Sequence, residues 1–128
     1  MVPIVVGLGG ALGAVARYYV TDWVRSLAGA EMPWGTLAVN VVGSLTLGFL
    51  FVWLEHRAPS NLSRELLAIG FLGSFTTFST FSYETVALAR AGEVVRAGGY
   101  ALGSLALGVA AVLAGAMLAT VLVRSLGR

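Results

Sequence analysis

The sequence predicts an all-α membrane protein with four transmembrane helices, because the chain is unusually apolar and its apolar residues form four long stretches. Hydrophobic residues make up 58% of the chain and charged residues only 11%, whereas soluble domains carry about 25% charged residues. The uncharged stretches cover residues 2–16, 32–54, 66–83 and 97–123. Stretches of about 20 residues match a helix that crosses a hydrocarbon core of about 30 Å. A soluble helical core would leave almost no polar residues for an outer surface.

The first two spans are bounded by residues that suit helix ends. We predict one transmembrane domain, residues 1–128, with spans at about residues 3–25, 33–54, 62–91 and 93–123. Proline is tolerated at a helix start, which suits Pro3. Gly29 and Pro33 mark a short turn between the first and second spans. Three tryptophans fall near predicted span ends, where their rings suit the membrane interface: Trp23, Trp34 and Trp53.

The third span is predicted to contain a break in its helix at mid-membrane depth. Gly70 and Gly73 weaken helix continuity. Five of the seven residues from 76 to 82 carry hydroxyls, and polar groups within a membrane are costly unless they find partners. A break at this depth is tolerated only where the backbone faces protein or water. Because a break frees carbonyl and N–H groups, which commonly bind ions, this segment is the candidate functional site.

Phe78 and Phe81 follow the predicted break and are three residues apart, so they share one face of a helix. An aromatic ring has a positive edge and a negative face. Two ring edges could therefore contact a small anion without a full positive charge that would trap it. The same spacing also suits two phenylalanines that only fill a helix interface, and the spacing alone does not separate these interpretations.

Arginine shows almost no bias between the two sides of the predicted membrane. One side has Arg57, Arg64, Arg124 and Arg128, and the other has Arg25, Arg90 and Arg96, with Arg17 nearer to that second side. Because cytoplasmic arginine normally fixes orientation, this balance predicts a dual-topology protein in which inverted copies pair as an antiparallel homodimer. Small residues four apart, such as Gly9 and Gly13, also favour close helix packing in an oligomer. Alternatively, a few residues outside these counts fix a single orientation.

The sequence also excludes several functions. Cysteine is absent, which excludes disulfides, thiol catalysis and thiolate metal sites. The single histidine, His56, lies in a predicted loop without a second ligand candidate, so we interpret it as solvated. Lysine is absent and the arginines are scattered between spans, which does not form a nucleic-acid patch. No nucleophile has an evident base, so we do not expect an enzyme.

The run GFLGSFTTFSTFS at residues 70–82 is similar to the signature of the Fluc (CrcB) family of fluoride channels. Residues 9–18 (GGALGAVARY) and 35–43 (GTLAVNVVG) provide two further matches to that family. The resemblance covers the whole chain in length, number of spans and order of motifs. It implies a fluoride-selective passive channel that exports cytoplasmic fluoride across the plasma membrane of a bacterium or archaeon. The implied partners are a second, antiparallel copy, the fluoride ion and membrane lipid.

The resemblance also implies roles for residues at and beside the break. Members of the family are antiparallel dimers with two pores and a sodium ion at the dimer centre. By motif position, the backbone carbonyls of Gly73 and Thr76 of each copy would hold this Na⁺. Phe78 and Phe81 would line each fluoride pathway with their ring edges. On the second span, Asn40 would donate its amide N–H groups to the ion. On the third span, Thr77, Ser79 and Thr80 remain candidates, with Thr80 the preferred polar companion of the phenylalanines.

On the fourth span the resemblance implies that Tyr100 and Ser104 line the pathway. Some members carry serine where this chain has Gly108, so the polar track is either shorter here or completed by water or another hydroxyl. Glu84 follows the phenylalanines and is expected near one pore end. Arg17 has two open interpretations: it extends to the interface, or it lies in an aqueous vestibule and attracts anions.

A proton-coupled exporter of the small multidrug-resistance type is the alternative function, since such exporters also have four short spans and dual orientation. That mechanism needs a carboxylate deep within a span, usually the first. The first span has no carboxylate before Asp22, and Glu84 lies toward the end of its span. A structural subunit without transport is a third possibility, but it does not explain the hydroxyl-rich third span.

Overall fold

The computed structural model describes residues 1–57 and 61–126, and within this part the secondary structure is entirely helical. Four segments of the described residues are long and apolar enough to cross a membrane. The elements are α1 (Val2–Ala28), α2 (Trp34–Arg57), α3 (Asn61–Arg64), a π-helix (Glu65–Leu72), α4 (Gly73–Phe75), α5 (Phe78–Arg90) and α6 (Val94–Leu126). We call residues 61–90 the third span. The predicted number of spans is thus confirmed for the described residues.

The helices extend beyond the predicted spans at several ends. Helix α1 ends at Ala28 rather than residue 25, because Gly29 adopts a φ of 84° and its N–H donates to the Arg25 carbonyl. A positive φ is accessible to glycine without steric cost, so Gly29 ends the helix. Helix α6 continues to Leu126 rather than residue 123. Hydropathy marks only the apolar part of a helix, whereas hydrogen bonding continues into the polar interface.

The third span contains a π-helix at Glu65–Leu72, which the sequence did not predict. This segment packs against α1 at glycines of both elements. A Cβ atom on Gly70 would lie 2.7 Å from the Val6 carbonyl oxygen and 3.1 Å from the Gly9 Cα. A Cβ atom on Gly13 would clash with the Phe71 backbone. Gly9 and Gly13, which favoured an oligomer in the sequence, therefore serve helix packing inside one copy.

Helices α2 and α6 run in the same direction and pack closely along one face. Ser44 faces Gly108, and one turn later Gly48 faces the Val112 backbone. Because residues four apart lie on the same face of a helix, this register places Thr36 level with Tyr100 and Asn40 level with Ser104.

The outer surface of the single copy is strongly apolar. Large side chains such as Leu12, Phe51, Leu105 and Val121 are exposed, whereas Val39 is the largest completely buried side chain of the described residues. A soluble protein would not expose apolar surface on this scale. This surface therefore faces lipid or other membrane helices.

Candidate functional site

Two extended residues separate α4 from α5 in the third span. Thr76 has φ −83° and ψ 156°, and Thr77 has φ −148° and ψ 114°. The N–H of Thr77, which would reach the Gly73 carbonyl in a continuous helix, instead donates to Oδ1 of Asn40 at 2.8 Å. In return, Nδ2 of Asn40 donates to the Thr77 carbonyl at 3.1 Å. The second span therefore supplies the hydrogen bonds of the Thr77 backbone.

The hydroxyls beside these extended residues bond mainly to one another and to the backbone. Thr77 is the N-cap of α5, since its Oγ1 accepts from the Thr80 N–H at 3.2 Å. The same hydroxyl lies 3.0 Å from Oγ1 of Thr80 and 3.3 Å from Oγ of Ser79. The Thr76 hydroxyl donates to the Leu72 carbonyl at 3.0 Å. A cap of this kind satisfies a backbone N–H at the start of the helix, which stabilises α5 directly after the extended residues.

Three aromatic rings form a contiguous row between α5 and α6. The ring centroids of Phe78 and Phe81 are 5.6 Å apart, and those of Phe81 and Tyr100 are 5.3 Å apart. Both pairs are tilted, at 45° and 50° respectively. Phe78 is 79% exposed in the single copy, whereas Tyr100 is buried. The structure thus brings together the three aromatic residues that the sequence analysis selected.

Glu84 lies at one end of this row and receives two hydroxyl hydrogen bonds. Thr36 donates to Oε1 at 2.8 Å, and Tyr100 donates to Oε2 at 2.8 Å. Thr36 is only 2% exposed. The Glu84 side chain thereby joins α2, α5 and α6 at the level of Tyr100.

Ser104 lies one turn beyond Tyr100 on the same face of α6. Its hydroxyl oxygen is buried and has no hydrogen-bond partner among the described residues. Buried polar groups are normally paired, so an unpaired one requires an explanation. A ligand that accepts a hydrogen bond would satisfy this hydroxyl.

Two grooves approach the site from opposite sides and share Thr77. The first has a volume of about 260 Å³ and is lined by residues that include Asn40, Ser44, Gly73, Thr76, Thr77 and Phe78. The second has a volume of about 500 Å³ and is lined by residues that include Arg17, Asp22, Arg25, Thr36, Thr77, Thr80 and Glu84. The sequence-selected residues Arg17 and Glu84 therefore line one groove, and Asn40 lines the other.

The sequence did not single out Thr36 as a site residue, and it indicated Thr77 only as a further candidate beside Thr80. The signal for Thr36 was present, because Thr36, Asn40 and Ser44 are four apart and form one polar face on an otherwise apolar helix. The role of Thr77 as cap and as partner of Asn40 depends on a contact between spans, which spacing does not show. No group of three or more acidic or histidine side chains suited to a metal occurs in the described ranges.

These features define a class of protein: a multi-pass membrane protein with a polar site at the middle of its third span, flanked by two grooves. Residues 4–116 match the family described as CrcB-like protein, Camphor Resistance (CrcB). The chain belongs to this family.

Three relatives illustrate the similarity, and each bears the name fluoride-specific ion channel FluC. The protein of Rhizobium johnstonii is 47% identical over 113 residues, which cover 88% of this chain and 90% of the relative. The protein of Thermus thermophilus is 49% identical over 106 residues, which cover 83% of this chain and 84% of the relative. The protein of Roseiflexus sp. is 44% identical over 120 residues, which cover 93% of this chain and 97% of the relative.

Proposed function

We propose that this protein is a passive, fluoride-selective ion channel that lets cytoplasmic fluoride leave the cell. One observation carries the proposal: the two grooves share Thr77, which lies beside uncharged hydrogen-bond donors and the row of aromatic rings. Relatives that cover most of this chain bear the name of a fluoride-specific channel, which identifies the ion. Neutral donors and ring edges can replace part of the hydration shell of a small anion without trapping it.

The fluoride pathway in this proposal runs between α2, α5 and α6. Phe78 and Phe81 present ring edges, and the buried hydroxyl of Ser104 donates to the ion. Asn40 has two amide hydrogens, and the hydrogen bond to Thr77 uses one of them, so the second serves the ion. Two hydroxyl residues complete the path, Thr80 beside the rings and Tyr100 at the level of Glu84.

Arg17 and Glu84 act in the vestibule at one end of this path. Both line the groove of about 500 Å³ that leads to Thr77. A positive charge in a groove raises the local concentration of anions, which suits Arg17 as the residue that attracts fluoride. Glu84 accepts from Thr36 and Tyr100, so it positions hydroxyls rather than binding the anion itself.

The functional unit in this proposal is an antiparallel homodimer with two pores. The near-equal numbers of arginines on the two sides support insertion in both orientations. The high exposure of Phe78 in a single copy supports a partner that covers one side of the aromatic row. A pathway open to the lipid would not exclude water or hydrocarbon from its rings.

A Na⁺ ion at the dimer centre belongs to the same proposal. The residues fit such a site. The Thr77 N–H donates to Asn40 and not to the Gly73 carbonyl, and Thr76 has an extended backbone. Carbonyl oxygens are suitable ligands for a hard cation. When bound, the ion would neutralise the negative ends of these carbonyls, while Gly73 and Thr76 of both copies hold it.

The test of this function is ion efflux from vesicles that contain the purified protein. We expect vesicles loaded with fluoride to release it once a potassium ionophore balances the charge, and vesicles loaded with chloride to retain their anion. Equal release of both anions, or no release of fluoride, would contradict the proposal. Uptake of a cationic substrate driven by a proton gradient would support the exporter instead.

A further inference from the structure

Ser44 differs from most hydroxyl residues within the helices of this protein. Hydroxyls at helical positions usually donate to the carbonyl four residues earlier, which satisfies them inside a membrane. Thr46, Ser82, Thr85 and Thr120 all do so, at 2.8 or 2.9 Å. Within residues 1–57 and 61–126, the Ser44 hydroxyl has no hydrogen-bond partner. It is therefore available to a ligand.

The position of this hydroxyl is defined by the packing of α2 on α6. Ser44 Oγ lies 3.7 Å from the place where a Cβ atom on Gly108 would stand. Gly108 follows Ser104 by one turn, so it continues the face that carries the unpaired Ser104 hydroxyl. At this level α6 contributes no side chain, and among the described residues the atom nearest to a Cβ on Gly108 is the hydroxyl oxygen of Ser44.

Ser44 also lines the groove that contains Asn40, Thr76, Thr77 and Phe78. On α2 it follows Thr36 and Asn40 at intervals of four residues, which places the three side chains on one face. Thr36 bonds to Glu84 and Asn40 bonds to Thr77, so both already belong to the site. Ser44 extends the same polar face by one more turn toward the other side of the membrane.

We propose that Ser44 is a pathway residue whose hydroxyl donates a hydrogen bond to the permeating small anion at the level of Gly108. This inference rests on the proposed channel function and adds a contact from α2 where α6 has none. A neutral hydroxyl suits an anion path, because it donates one hydrogen bond and adds no charge. The ion passes from Asn40 to Ser44 along the groove between α2 and the third span.

The first test removes the hydroxyl with Ser44→Ala. We expect fluoride efflux to slow about fivefold, since the loss of one hydrogen bond is worth about 1 kcal/mol. The matched control is Thr46→Val, which removes a hydroxyl from the same helix outside the groove and should leave efflux near that of the wild type. Elution of each variant as a folded oligomer excludes a folding defect as the cause.

The second test moves the hydroxyl to the facing helix with Ser44→Ala combined with Gly108→Ser. Space exists for this change, since the nearest atom to a Cβ on Gly108 is Ser44 Oγ itself. We expect the double variant to recover most of the efflux lost in Ser44→Ala. If wild-type vesicles release fluoride but Ser44→Ala releases it equally fast, the role of Ser44 is wrong and the channel remains. If wild-type vesicles release none, the channel itself is wrong.

Discussion

Asn40 and Thr77 form two hydrogen bonds, one in each direction, between the Asn40 side-chain amide and the Thr77 backbone. The Thr77 N–H can only donate, so the atom that faces it at 2.8 Å must be the amide oxygen. The Thr77 carbonyl can only accept, so the atom at 3.1 Å must be the amide nitrogen. An amide meets both requirements at one side chain, which explains why an asparagine stands beside the extended residues.

Replacing Asn40 with aspartate should therefore disturb both structure and conduction. Asn40→Asp keeps an acceptor for the Thr77 N–H but places a second acceptor against the Thr77 carbonyl, at a cost of about 1–3 kcal/mol. The new negative charge also repels an anion in the pathway. We expect fluoride efflux to be lost and the thermal midpoint in detergent to fall.

The matched control for this change is Asn61→Asp, because Asn61 is exposed at the start of α3. It adds the same charge away from the aromatic row, so efflux should persist. Normal conduction by Asn40→Asp would remove Asn40 from the pathway.

Phe81 offers a separate test of the ring edges. The Phe81 ring lies between Phe78 and Tyr100, and isoleucine would fill much of its space without a positive ring edge. We expect Phe81→Ile to abolish fluoride efflux while the protein still elutes as an oligomer. Phe49→Ile, which alters a ring stacked on Trp53, should conduct. Undiminished efflux through Phe81→Ile would show that the ring only fills space.

The aromatic residues of the site could be predicted from the sequence, whereas most of their partners could not. Phe78 and Phe81 are close in sequence, so helical spacing already places them on one face. The bond from Thr36 to Glu84 joins residues 48 positions apart, and spacing within one helix carries no information about such a contact. For the same reason the sequence suggested Asn40 as a donor to the ion but did not indicate that Thr77 uses one of its hydrogens.

At the scale of the elements, glycine determines how closely α2 approaches α6. A Cβ atom on Gly48 would lie 2.8 Å from the carbonyl carbon of Val112 and 2.9 Å from its Cα. Backbone atoms cannot move away as a flexible side chain does, so even one methyl group forces the helices apart. Inside a membrane, where van der Waals packing drives helix association, this loss is not offset by a hydrophobic gain.

Gly48→Ala should therefore destabilise the protein by about 1–3 kcal/mol, the usual cost of overpacking. The measurement is the thermal midpoint in detergent, together with fluoride efflux. Gly7→Ala is the control, because no atom lies within 4 Å of a Cβ at Gly7, and its midpoint should stay near that of the wild type. Equal midpoints for the two variants would show that α2 and α6 adjust without cost.

The four spans were predictable because length and hydropathy define a membrane helix almost alone. The π-helix at Glu65–Leu72, which packs against α1 at Gly70, was not predictable in this way. Apolar composition is the same for α- and π-helical turns, so hydropathy does not distinguish them. The partners of Thr77 were not predictable either, because they are contacts between two spans.

At the scale of the whole molecule, one copy leaves Phe78 largely exposed and shows little arginine bias. Both features have one explanation if a second copy inserts upside down and covers the aromatic row. In such a pair, every copy needs a partner of opposite orientation. Orientation, activity and assembly are then coupled, and a change in the number of loop arginines far from the pathway should alter conduction.

This coupling predicts the behaviour of variants with a fixed orientation. Ala30→Arg with Glu31→Arg adds positive charge to the loop between α1 and α2, whereas Glu55→Arg with Asn61→Arg adds it near the opposite end of the spans. Because arginine-rich loops stay in the cytoplasm, each variant should insert in one orientation only. We expect either variant expressed alone to release no fluoride, and the two expressed together to recover efflux. Full efflux from each variant alone would mean that parallel copies conduct, and the antiparallel dimer would have to be abandoned.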